Sequence, residues 1–537
     1  MSDKKNKKNE IHDEKSGTQS TEEAAVETSE VPENVADENL PEAEDAASDA
    51  ASLTAEIEEL KAQIEQLNKD KLLLMADFEN YRKRTLREKA DLIKSGGEDC
   101  LKRILPLVDD FEVIPRNQFF EITDFQGHSL KVQPIRYRRE GCYYAIFAED
   151  IPPMGYKTFE IVFKQPSTDT GTITINNASI ENHFYKLQLN PDKGTIQSLY
   201  DKELNCELVD SSSPWELGAF IYEKLGNRDQ LAQYRLDDYN RTGLSECRII
   251  DSSNGPIYQR ILLQGKSPGT DEAFGVNLEI KLYHDTKRIE LEYAIKRLPE
   301  TDPSGIYVAF PFQLPEGKLA FDVQGGTVIS GKNQLEGTST DWNTVQNFVS
   351  VQNNQAQIII GSSLIPLYQL GDINLGKFQY QKQYERPHVY SWVMNNYWNT
   401  NFKASQEGEF RWSYHLTSSV DPSNNLATKF GWSSRIPLYA RVMPTGTENH
   451  KPTEYSAFHF EKDNFLMTSC TPSKEEGYIL LNIREIDGKR TNLRILNEDG
   501  QTIPFTIVNA IEEKLENETS EHIFEGYQNK FIKIKRF

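Results

Sequence analysis

Paired cysteines are missing from this 537-residue chain. Its five thiols, Cys100, Cys142, Cys206, Cys247 and Cys470, lie far apart, with no Cys-x-x-Cys and no Cys/His cluster. That spacing signals neither a structural zinc site nor a disulfide framework, and reads as scattered buried thiols. No run of roughly 18 apolar residues occurs, so no membrane-spanning helix is expected. The start, Met1-Ser2-Asp3-Lys4-Lys5, leads into a polar acidic run without an apolar h-region, so no secretory signal is read there. The sequons at Asn177, Asn240 and Asn517 then read as chance, and the expected location is cytoplasmic. Positive charge is short: 60 Lys and Arg stand against 82 Asp and Glu, a net charge of −22. Such a chain repels nucleic acid and anionic membrane, and neither is expected as a partner. Residues 1–50 lack any aromatic residue and hold 15 acidic side chains against 5 Lys. They have too little apolar surface to offset chain entropy and are expected to be a disordered acidic tail.

What is present changes character near Glu112. From Leu53, apolar residues recur at alternating spacings of four and three, through Ile57, Leu60, Ile64, Leu67, Leu74, Phe78 and Tyr81. The stripe is narrow and flanked by Glu, Lys and Gln. That pattern predicts a long coiled-coil helix and a homodimer interface through these residues, in preference to one amphipathic helix lying on a globular core. Lys71 occupies a seam position, where it costs stability and sets register. The basic run 82–89 reads as a solvated helix face, since no aromatic platform accompanies it.

The segment Leu72-Leu73-Leu74-Met75-Ala76-Asp77-Phe78-Glu79-Asn80-Tyr81-Arg82-Lys83-Arg84-Thr85 is more specific than a heptad. With Leu92–Glu98 and Ile104-Leu105-Pro106-Leu107-Val108-Asp109-Asp110-Phe111-Glu112, it resembles the GrpE family, nucleotide exchange factors of DnaK-type chaperones in the stress response. The resemblance covers residues 1–112. It implies parallel pairing of two long helices and contact with a DnaK-type chaperone. In that family a helical bundle and a β-wing follow, and the wing levers ADP out. Neither follows Glu112 here, so the resemblance implies dimerisation and only weak chaperone contact.

From Val113 the period becomes two. Val276, Leu278, Ile280 and Leu282 alternate with polar residues, His284-Asp285-Thr286-Lys287 turns, and Ile289, Leu291, Tyr293 and Ile295 alternate again. This predicts an antiparallel hairpin with one buried face. Further strands are expected at 172–175, 257–263, 356–360, 478–483 and 531–537, with turns at Asn190–Gly194 and Glu498–Gly500. No amphipathic helix is read after Glu112. Many strands without helices predict β-sandwiches.

Several segments here resemble the β-rich C-terminal part of glycoside hydrolase family 38, the α-mannosidases. They are Ile180–Lys186 continuing through Gly194–Leu204, Val308-Ala309-Phe310-Pro311-Phe312, Asp341-Trp342-Asn343-Thr344-Val345-Gln346, and Ser391-Trp392-Val393-Met394-Asn395-Asn396-Tyr397-Trp398-Asn399-Thr400-Asn401-Phe402. Upstream, Ile151–Phe159 matches the family's linking β-domain. The resemblance covers 113–537. It implies that zinc, an Asp nucleophile and a carboxylic acid/base would all sit in an upstream α/β barrel. Zinc is thus expected only in an enzyme that has that barrel, and none of the nine His here stands in a His-x-Asp pair. Retaining hydrolysis needs two carboxyls about 5 Å apart across the scissile bond. No catalytic residue, metal ligand or cofactor is therefore assigned. Without its barrel, the β-half would uncover apolar surface. Trp392, Asn395, Asn396, Tyr397, Trp398 and Asn399 interleave rings with amides, which suits stacking on sugar faces and bonding to hydroxyls. Equally, the rings can fill a sandwich core while the Asn residues make turns.

The expected fold class is therefore mixed: a disordered acidic N-terminus, a long coiled-coil helix, then all-β. The expected domains are an acidic tail at 1–50, a GrpE-like helical fragment at 51–112, a small linking β-domain at 113–168, a large mannosidase-type β-sandwich at 169–430 and a C-terminal β-domain at 431–537. The reading is a fusion of a truncated GrpE-type factor with the carbohydrate-binding, catalytically incomplete half of an α-mannosidase. A gene fusion, a genomic deletion or an assembly error would each produce such a joint. Alternatives are either parent activity, nucleotide exchange or α-mannosidase, or a non-catalytic dimeric protein that binds a mannose-containing glycan.

Overall fold

The computed structural model describes Leu60, Lys61, Gln63, Ile64, Gln66 and Lys69, and residues 119–536 apart from 138–141, 165–177, 399–402, 437 and 444–451. The chain divides into two units, Met1–Leu107 and Val108–Phe537. In the first unit the six described residues are helical, and Leu60 and Ile64 are exposed in the single chain. The other seam positions, Leu53, Ile57, Leu67, Leu74, Phe78 and Tyr81, lie outside the described residues. The long coiled-coil helix is thus not shown.

The second unit is mostly β. Its largest sheet has nine antiparallel strands, in the order Ser245–Asn254, Tyr258–Lys266, Val276–Tyr283, Ile289–Arg297, Gly408–Ser419, Gln357–Gly361, Phe348–Gln352, Lys318–Val323 and Gly326–Ile329. The predicted hairpin stands at its centre, with Val276 opposite Ile295, Leu278 opposite Tyr293, Ile280 opposite Leu291 and Leu282 opposite Ile289. Because side chains alternate across a strand, all eight fall on one face, and all are buried. The other face carries charge: Lys281 lies between Glu290 at 3.1 Å and Glu279 at 3.3 Å.

A six-stranded sheet packs against that apolar face. Its order is Tyr239–Thr242, Phe220–Leu225, Ser304–Phe310, Val389–Asn395, Leu367–Leu370 and Asn343–Thr344. Phe220, Val308, Phe310 and Val389 from this sheet share one core with Ile261, Leu278, Leu291 and Tyr414 from the other. The result is a large β-sandwich. A four-stranded sheet from Ser179 to Glu207 adds Tyr185, Leu187, Ile196 and Leu199 to the same core. Its hairpin turns at Asn190–Gly194, where Gly194 takes a φ of +65°.

Two smaller regions flank the sandwich. At the C-terminal end, Phe465–Pro472, Tyr478–Glu485, Asn529–Lys535 and Phe505–Val508 form a sheet around Leu481, Ile483, Phe505, Ile532 and Ile534. At the other end, Phe119–Thr123 pairs with Glu160–Lys164, and Lys131–Tyr137 with Cys142–Phe147. Gln133 ties this module to the sandwich, accepting from the backbone N–H groups of Ile257 (2.9 Å) and Tyr258 (3.0 Å). Gly155–Lys157 pairs with Glu454–Ser456 from the far end of the chain. Apolar burial in this module is thin: Ile122 is buried, while Phe125, Ile135 and Phe163 are exposed.

Two expectations fail. The thiols do not read as buried: Cys206 and Cys247 are half-buried and Cys470 is exposed. Two helices occur among the described residues after Glu112, the short Asp229–Ala232 and the 12-residue Asn424–Arg435. The second begins at Ser423, whose hydroxyl caps the backbone N–H of Leu426 at 3.2 Å. It buries Ala427 against Phe348 and Ile359 of the nine-stranded sheet. Ser433, Ser434 and Gly431 dilute its apolar stripe, which is why the period of 3.6 does not stand out. The strand expected at 172–175 lies outside the described residues.

Candidate functional site

The strand Val389–Asn395 runs between Ser304–Phe310 and Leu367–Leu370 in the six-stranded sheet. A bulge beside Val393 sets Trp392 opposite Tyr307 and Met394 opposite Ile306. Ser391 and Val389 point into the sandwich core, where Ser391 accepts from the Tyr414 hydroxyl at 2.8 Å. Trp392 and Tyr390 therefore point outward. They join Tyr307, Ile221, Leu231, Leu236 and Leu375 in a second apolar cluster over the sheet's outer face.

The five candidate residues separate by environment. Trp392 is buried, stacks parallel to Tyr307 at 6.0 Å between ring centroids, and its indole N–H has no partner. Tyr397 is also buried and donates its hydroxyl to Glu223 at 2.5 Å. Asn396 accepts from the backbone N–H of Ser304 at 2.7 Å and donates to the carbonyls of Glu300 (2.9 Å) and Ala404 (3.1 Å), so its amide closes the local loop. Asn395 and Trp398 are exposed. Asn399 lies outside the described residues. The structure thus brings the five together in sequence and space, but presents only Trp398 and Asn395 to solvent.

Trp398 is 40% exposed and belongs to a ring cluster with Trp342 (5.7 Å), Tyr397 (6.0 Å) and Trp392 (6.1 Å). Beside Asn395 and Asn396 lies a cavity of about 60 Å³, lined also by Arg297, Glu300 and Lys403. That is room for a few waters and not for a sugar ring.

Sequence reasoning missed the charge beneath this cluster. Glu223 is fully buried and receives Arg241 Nε at 2.5 Å, with the Tyr307 hydroxyl at 3.3 Å. A carboxylate among apolar neighbours in Phe220–Leu225 was the available signal. Burial pushes the Tyr397 and Tyr307 hydroxyls well above the ordinary tyrosine range, and Glu223 adds to it. For Arg241, burial opposes the charge, but Glu223 outweighs it and the guanidinium is held more firmly protonated. Next to Trp342, burial raises the Asp341 carboxyl, and Lys382 is pushed down to about 8 by its own burial. Among the described residues no group of three or more His, Cys, Asp or Glu is placed to hold a metal ion. No helix of the described residues is long and apolar enough to cross a membrane.

Comparison with known proteins separates the two ends of the chain. Residues 38–120 match the family model described as GrpE, and residues 180–378 match Glycosyl hydrolases family 38 C-terminal domain. Protein GrpE of Parabacteroides distasonis is 54% identical over 68 residues, 13% of this chain and 35% of that protein. Protein GrpE of Bacteroides thetaiotaomicron is 48% identical over 75 residues, 13% of this chain and 39% of that protein. The chain therefore spans little more than a third of these curated relatives. An alpha-mannosidase from Enterococcus faecalis shares the fold of the β-region, with a TM-score of 0.59 at 12% identity, over 79% of this chain and 51% of that one. One chain thus carries a GrpE-like N-terminal segment and a region like the C-terminal domain of family 38.

Proposed function

We propose that this protein is a non-catalytic, dimeric carbohydrate-binding protein of the cytoplasm, in which a GrpE-type coiled coil pairs two mannosidase-type β-halves. The carrying observation is the family 38 match at 180–378 within a sandwich whose outer face exposes Trp398 beside Trp342. An exposed indole offers a flat face to the C–H surface of a sugar, and Asn395 supplies an amide for a hydroxyl. The occupant is a mannose-containing glycan. In the GrpE-like segment, contact with a DnaK-type chaperone is weak, because the wing that would lever out nucleotide has no counterpart between Glu112 and the β-region. Exposed Phe125, Ile135 and Phe163 support the reading that the β-half stands without a domain that would cover them.

The test is a titration of the full chain with a mannose-terminated oligosaccharide, followed by tryptophan fluorescence and by product analysis. Saturation without product is expected, with at least tenfold weaker binding in Trp398→Ala. A flat titration, or an unchanged affinity in that variant, overturns the sugar site.

A further inference from the structure

A second concavity shares no lining residue with the indole cluster. It is an open groove of about 530 Å³, bordered by Val323 and Gln324 at the end of one strand, by Thr344–Gln346, by the loop Ser362–Pro366, and by Arg435 in the last turn of the helix Asn424–Arg435. Its volume falls within the range of small-molecule sites.

Charge sets this groove apart. None of its lining residues is acidic, in a chain where acidic side chains outnumber basic ones by 82 to 60. Arg435 is exposed, and among the described residues its guanidinium meets neutral oxygens, the Gln346 carbonyl and Asn347 Oδ1, each at 3.5 Å. The nearby carboxylate of Asp322 is buried and engaged elsewhere, by Asn347 Nδ2 at 2.7 Å and Arg484 at 3.8 Å. Arg435 is thus a fork of donors facing a groove with no counter-charge, the arrangement that takes a carboxylate or phosphate in two parallel bonds.

The rest of the lining fits a polyhydroxylated ring. Gln346 contributes a half-buried amide to the lining. Gln324, Thr344 and Ser363 add an amide and two hydroxyls, while Leu364 and Pro366 give an apolar rim for C–H groups. Ser362 serves the loop itself, donating to the Ser413 carbonyl at 3.0 Å.

We infer that this groove binds an anionic monosaccharide, with Arg435 on the carboxylate or phosphate and the side-chain amides on the ring hydroxyls. The site is independent of the proposed glycan surface, and each can fail without the other.

The experiment is calorimetric titration of the full chain with D-glucuronate, glucose 6-phosphate, glucose and inorganic phosphate. At least one of the two anionic sugars is expected to bind with a Kd in the millimolar range or tighter, at least tenfold better than glucose and inorganic phosphate. Which of the two prevails tells a carboxylate site from a phosphate site. Arg435→Gln should bring the anionic sugar down to the level of glucose, and Arg435→Lys should retain part of the gain. Circular dichroism confirms that the variants fold. No binding of either anionic sugar, equal binding of glucose, or an unchanged affinity in Arg435→Gln overturns the proposal. Inorganic phosphate binding as tightly as the better sugar also overturns it, since the groove would then recognise a bare anion.

Discussion

Tyr397 hydrogen-bonds Glu223 across 174 residues of sequence, and neither side chain reaches solvent. The phenol fixes the segment leading to Trp398, while Arg241 neutralises the carboxylate from the neighbouring strand.

Removing only the hydroxyl therefore has a defined cost. Tyr397→Phe keeps the ring packing but leaves a buried carboxylate short of a donor, which should destabilise the protein by about 1–3 kcal/mol. Urea denaturation read by tryptophan fluorescence measures it. Combining it with Glu223→Gln should cost less than the two single changes together, because the lost bond is shared.

His415 predicts a pH dependence. It stands opposite Glu290 in the nine-stranded sheet, and its Nδ1 is buried without a partner. Burial pushes it down from 6.5 to about 4, against the pull of Glu290. The unfolded chain therefore takes up the proton first as the pH falls. Stability from the neutral ring is full above about 6.5 and drains away towards about 4, a loss on the order of 3 kcal/mol. His415→Gln should flatten that part of the stability profile. An unaltered slope between pH 6.5 and 4 would refute this assignment.

The helical segment should dimerise the protein. Replacing Leu60 and Leu67 with Asp places charges without partners in the seam and should yield monomers. Sedimentation of the full chain and of the double variant at tens of micromolar decides it. A wild-type monomer ends the dimer reading.

Nucleotide exchange should be feeble. Stopped-flow release of a fluorescent ADP analogue from a DnaK-type chaperone should be accelerated little or not at all. A rate matching that of a full-length GrpE would mean that the helical fragment suffices.

Hydrolysis of an aryl α-mannoside should be undetectable with added zinc, and metal analysis should find no stoichiometric zinc. Catalysis requires a nucleophile and a proton donor within angstroms of one anomeric carbon. Turnover that survives re-purification and vanishes on mutating one carboxylate in 113–537 defeats this prediction.

Much of the β-architecture is legible because burial imposes a period of two. Val276–Tyr283 and Ile289–Arg297 announce their hairpin, since one sheet face is apolar and the other charged. The helix Asn424–Arg435 is hidden by the very residues its packing demands. A Cβ on Gly431 would press on the Asn347 carbonyl and Phe348, so glycine stands where a helix former would otherwise signal. Around Trp392, composition shows rings and amides but not their partners. Asn396 closes on Ser304 and Tyr397 on Glu223, contacts set by which strands become neighbours. Local sequence could not separate the buried indole of Trp392 from the exposed one of Trp398.

The pairing of Gly155–Lys157 with Glu454–Ser456 has a temporal side. A ribosome releases the first of these strands about 300 residues before the second, on the order of 15–60 s at ordinary elongation rates. During that interval Gly155–Lys157 has no strand neighbour, while Glu160–Lys164 can already pair with Phe119–Thr123. Nascent chains of this protein should therefore keep the segment around Tyr156 open to proteases until translation is nearly over. Truncation just before Thr453 should make that condition permanent.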